Sequence, residues 1–271
     1  MNALSRWQGY AEGLEDALVV GRKMVAEGEA YIYRVAHSGF EVAFVRYLAA
    51  PQATEWADLL REALALFALS TDRNDTLERR DYPFNLAALL MEWYLGQGWL
   101  GESPDPALLD RSINLYAEGL WAKPQRPLSA LSVLPPGYLL RQDAEHLTHF
   151  WEIVNEAGGL DRLPNELALW RRWSVAFLEG QTSPAGFWSA YAPFARRLDD
   201  PTSQPARFYL AAAQIGHELF GVAEAHHELV RRLAGVVAAA ATHKVFHVVP
   251  GARWYMLGGL ALGLLLLGVA R

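Results

Sequence analysis

The stretch from Trp254 to Ala270, WYMLGGLALGLLLLGVA, runs for seventeen residues without a charge and sets the first limit on what this chain can become. At ~1.5 Å rise per residue it makes a helix of roughly 25 Å, close to the shortest that crosses a bilayer core of about 30 Å. Arg253 and Arg271 bracket it, and Trp254 and Tyr255 suit the headgroup level on the entry side. Its seven leucines favour insertion, and its four glycines partly offset them. The stretch is therefore expected to span a membrane; a buried core helix is the competing expectation. Gly259 and Gly263 lie one turn apart on it, a small-residue spacing that lets two membrane helices approach closely and form a homodimer through the anchor.

Charge gives the expected orientation. The last acidic residue is Glu228, and the five basic residues after it leave positions 1–228 with a formal charge of −11 out of a total of −6. Basic residues just before a membrane helix hold that side in the cytoplasm. The expectation is a single-pass C-terminal anchor over 254–270 with the main domain cytoplasmic. A pI near 5.8 argues against nucleic acid as a partner and favours a basic protein.

The rest of the chain is rich enough in apolar residues, at 52%, to bury a sizeable core. It has no cysteine, so disulfides and thiolate metal sites are excluded. The first twenty residues lack the basic start and apolar run of a secretory signal.

Periodicity near 3.6 runs through nearly every apolar segment. Residues 4–49 read as two helices, turning near Gly28 and again around His37-Ser38-Gly39. In TEWADLLREALALFALS, Thr54 can cap a helix whose apolar face carries Trp56, Leu59, Leu60, Ala63, Leu66 and Phe67. The charged stretch from Ser70 to Pro83 reads as an exposed loop. FNLAALLMEWYLG is apolar nearly all round, so it should be a buried helix in which Glu92 needs a partner.

Asp105-Pro106 opens a helix over about 106–121, and Pro124 lies beyond it. The Pro-rich stretch 123–137 reads as a crossover between two sub-domains, 1–124 and 136–249, the second packed on the first. In the second half Asp143, Pro164 and Ser183-Pro184 open helices, and a long run from Ala206 to about Ala241 has weak points at Gly216 and Gly221. The fold class is thus all-α, an irregular antiparallel helical-hairpin array (a bundle or short solenoid) with a C-terminal hydrophobic helix. The 34-residue tetratricopeptide pattern does not fit: aligned on Pro201, Phe177 falls where a glycine belongs and Pro193 where an aromatic belongs.

Chemical motifs are sparse. Glu224-x-x-His227 has the spacing of a di-metal bundle helix, but Asp143-x-x-His146 is a weak second copy because Asp143 is better placed as a cap. No phosphate loop, nucleophile elbow or zinc-protease motif is present. The expectation is no catalytic, cofactor-binding or metal residues. Trp93, Trp99, Trp151, Trp170 and Trp173 are candidates for a partner groove, with core packing as the plainer account. The expected function is a tail-anchored scaffold or adaptor whose helical domain binds a protein partner. Two alternatives are an acidic inhibitor of a basic partner such as a toxin, and a helical-bundle enzyme with a His/Glu site. A charged, water-filled cavity separates the enzyme from the others.

Overall fold

In the structure, a computed structural model, residues 3–28, 32–73, 82–122, 133–156, 163–198 and 200–247 are described. They form eleven α-helices and no strand: α1 (Ala3–Ala26), α2 (Ile32–Ala49), α3 (Glu55–Arg73), α4 (Tyr82–Trp99), α5 (Pro106–Ala122), α6 (Leu134–Leu140), α7 (Ala144–Glu156), α8 (Asn165–Leu178), α9 (Pro184–Arg197), α10 (Ala206–Glu218) and α11 (His226–His247). A 3-10 turn, Pro201–Ser203, precedes α10.

The helix boundaries follow local chemistry. Asp105 accepts from Ala107 N at the start of α5, Asp143 from His146 N at the start of α7, and Ser183 from Gly186 N at the start of α9. Each satisfies one amide that a helix start leaves free. Gly221, with φ of 63°, lies in the break between α10 and α11, a left-handed conformation that suits glycine.

Three boundaries differ from the sequence expectation. α2 runs unbroken through His37-Ser38-Gly39, because Gly39 is buried and its Cα faces Ala63 of α3; a Cβ there would meet the Ala63 methyl at 3.4 Å. The glycine serves close helix packing and not a turn. α3 continues through Ser70 to Arg73, with Thr71 Oγ1 donating back to Ala68 O, so only the middle of the expected loop stays outside the described helices. Within the expected crossover, Leu134–Leu140 is a fully buried helix whose first turn holds Pro135 and Pro136, where a missing N–H costs nothing.

Helices adjacent in sequence pack on one another, α1 on α2, α2 on α3, α4 on α5, α8 on α9 and α10 on α11, and α9 also packs on α11. Buried apolar residues from Trp7 to Val237 form one continuous cluster, to which both expected sub-domains contribute. Among the longer helices, α2, α4 and α10 are largely enclosed. α2 buries residues on every side, as does α4, and α10 buries nine of its thirteen. These three helices also touch each other. Among the described residues no helix is long and apolar enough to cross a membrane; the stretch 254–270 lies outside them.

Candidate functional site

Where α2, α4 and α10 meet, the apolar core is interrupted by charge. His37 and Glu41 stand one turn apart on α2, Glu92 comes from the middle of α4, and Arg207 from the first turn of α10. Spacing of i and i+4 puts the first two on one helix face. Glu41 and Glu92 are 4% and 2% exposed, and a bare ionised carboxylate at such a depth is costly. Both have partners. His37 Nδ1–H donates to the two oxygens of Glu92 at 2.9 and 3.0 Å, and Arg207 Nη1 donates to Glu92 Oε1 at 2.8 Å. Glu41 accepts the Ala206 backbone N–H on both oxygens, at 2.9 and 3.1 Å. Glu41 thereby supplies the cap of α10, whose own N-cap residue, Pro205, offers no side-chain acceptor.

The charge states follow from these contacts. Burial alone would raise Glu92, but His37 and Arg207 outweigh it and hold the carboxyl below its usual range. Burial would lower His37, and the Glu92 carboxylate reverses that, so the imidazole is raised. For Glu41 burial prevails, reinforced by the Glu92 charge against the pull of His37, and its pKa is pushed up to about 7. Two cations thus face one firmly ionised carboxylate and one that titrates near neutrality.

The cluster opens onto a cavity of about 380 Å³ between α2, α3, α4, α5 and α10. Tyr33, His37, Asn85, Glu92, Tyr116 and Arg207 form its polar wall, and Phe67, Phe84, Ala88 and Leu89 its apolar one. Arg207 also borders a second cavity, of about 170 Å³, next to Trp170 and Gln204.

The residues singled out from sequence lie elsewhere. Trp99 is fully buried among Phe40, Phe44, Tyr47 and Trp56, with ring centroids 5.0 to 6.1 Å away. Trp170 and Trp173 are buried beside Phe187 and Phe208, Trp173 stacking on Phe187 at 4.6 Å. Trp151 is 8% exposed and Trp93 is half-buried against the core. Trp170 and Trp173 pack edge to face at 5.3 Å, and all five tryptophans belong to the core cluster or pack against it. Glu224 pairs with Arg232, and His227 packs on Tyr47 and Trp56, so the Glu224-x-x-His227 spacing gathers no ligand set. Asp143 is the α7 cap, with the His146 ring 3.0 Å away. Arg253, Trp254, Tyr255, Gly259, Gly263 and Arg271 lie outside the described residues.

In the sequence, one signal points to this cluster, the demand that Glu92 have a partner. The turn propensity of His37-Ser38-Gly39 masks the His37-x-x-x-Glu41 spacing, and nothing local ties Arg207 to either. The fold sets His37, Glu41 and Glu92 so that one ligand atom from each lies within 4.8 Å of the other two, a set that the expectation of no metal ligands did not foresee. No family model, no curated protein and no solved structure matches the chain.

Proposed function

We propose that this chain is an all-helical binding protein, an irregular array of antiparallel hairpins, whose working site is the cavity between α2, α3, α4, α5 and α10. Its ligand is a small polar molecule bearing anionic oxygens. The observation that carries this reading is the position of Arg207 and His37 on the cavity wall, sharing a single ionised carboxylate. Arg207 gives one N–H to Glu92 and has further donors in the planar fork that suits carboxylate and phosphate. His37, with 39% of its side chain accessible, lines the same cavity. The cavity volume lies at the lower end of the range for small-ligand sites, about 300–1,000 Å³. A charged cavity of this kind favours a small-ligand site over a pure adaptor surface. Titrating succinate and inorganic phosphate into the protein by calorimetry tests it. Saturable binding that falls at least about 10-fold in Arg207→Met supports the reading; no binding of either, or equal binding in the variant, ends it.

A protein partner is the second reading, favoured by α1. Tyr10, Gly13, Ala17, Val20 and Met24 recur at three- and four-residue steps and are all exposed, Val20 at 58%. Such a stripe fits one helix of another polypeptide. The −11 charge of residues 1–228 disfavours a second copy and suits a basic helix. A photocrosslinker at position 20 in cells should trap a basic protein; crosslinks only to copies of this chain would refute the assignment. On sequence grounds alone, 254–270 anchors this domain to a membrane from the cytoplasmic side. Retention of the protein in the membrane pool through an alkaline wash is the expected result, and release by the wash counts against it.

A further inference from the structure

We infer that His37, Glu41 and Glu92 form a binding site for one divalent cation of the first transition row. The three side chains come from two packed helices of the core, so their separation is held by the fold and not by a mobile loop. One atom from each lies within 4.8 Å of the others. His37 Nδ1 is 2.9 and 3.0 Å from the oxygens of Glu92, and adjacent ligands on an octahedral ion with bonds of about 2.1 Å are separated by about 3 Å. The ion takes the place of the Nδ1 proton, which leaves to solvent. One imidazole and two carboxylates make a mixed nitrogen and oxygen set, which suits zinc or manganese better than calcium.

The surroundings are those of a ligand set as well. Metal-binding carboxylates are normally oriented by outer hydrogen bonds. Arg207 holds Glu92 through Oε1, both oxygens of Glu92 face His37 Nδ1, and the Ala206 N–H holds Glu41. Three protein ligands leave positions open on the ion, and His37 and Glu92 line the 380 Å³ cavity from which water and a ligand oxygen can reach them. An anionic ligand in that cavity would then bridge the ion and Arg207. This inference shares its cavity with the proposed ligand site and rests on that reading only for the bridging role.

The test uses the full chain, stripped with a chelator and titrated with Zn2+, Mn2+ and Co2+ by calorimetry and by the visible absorption of Co2+. One equivalent should bind. Glu41→Gln, which keeps an oxygen to accept the Ala206 N–H, should weaken binding at least about 10-fold while the far-UV spectrum and unfolding midpoint stay near those of the parent. His37→Gln should do the same and shift or abolish the Co2+ bands. Absence of saturable binding, or unchanged affinity and bands in both variants, overturns the inference and leaves the cluster as a closed ion network. Succinate and phosphate titrations on the stripped protein keep the two claims apart. Anion binding without metal binding sinks only the metal site; metal binding without anion binding sinks only the anion reading.

Discussion

Glu92 is 2% exposed and still ionised, because His37 and Arg207 surround it. Removing one partner of such a group leaves an uncompensated buried charge, so Arg207→Met should cost about 3 kcal/mol in urea unfolding of the chelator-treated protein. The double change Glu92→Leu with Arg207→Met should cost less than the sum of the two single changes, since the charge and its partner leave together. His226 gives a pH effect of known sign. Burial, and then the neighbouring His227, hold it down to about 4. Between about pH 6.5 and pH 4 the unfolded chain binds a proton that the folded chain refuses, so stability is lost as pH falls through that window, by about 2–3 kcal/mol. Urea midpoints taken at both ends should show this slope reduced in His226→Gln. An unchanged slope would mean that His226 takes its proton normally when folded. Trp99→Ala should cost about 3–5 kcal/mol through the cavity it leaves, and the half-buried Trp93→Ala much less.

Helices make contact here partly through what glycine omits. Gly216 was expected to weaken a long helix, yet it sits inside α10, where a Cβ would meet the Phe187 ring of α9 at 2.8 and 2.9 Å. That ring stacks on Trp173 and has little room to yield. Alanine gains about 1 kcal/mol in helix propensity, and overpacking costs about 1–3 kcal/mol. Gly216→Ala should therefore lower the thermal midpoint, whereas Gly235→Ala in α11, where nothing lies within 4 Å of the added Cβ, should raise or preserve it. The start of α10 depends on another element in the same way, because its first amide is accepted by Glu41 from α2. Loss of that acceptor in Glu41→Leu should cost about 1–2 kcal/mol, and Glu41→Gln should restore most of it.

At the scale of the whole molecule, the described residues from Trp7 to Val237 form a buried cluster of their own. Deleting 254–271 should leave a soluble chain with a strongly helical far-UV spectrum and one cooperative unfolding transition. An insoluble or unfolded deletion product would make that stretch a core helix and remove the anchor reading. The all-helical class, the buried and nearly all-apolar helix α4 and the caps at Asp105, Asp143 and Ser183 were determined by the sequence alone, because periodicity and capping act within a few residues of one another. The run of α2 through Gly39 depends on Ala63, which is distant in sequence, and local turn propensity pointed the other way. The same holds for the site. Glu92 advertised its need for a partner, but which residues answered it was decided only when α2, α4 and α10 packed together. Residues 37 and 207 are 55 and 115 positions away from it, and no local rule reaches so far.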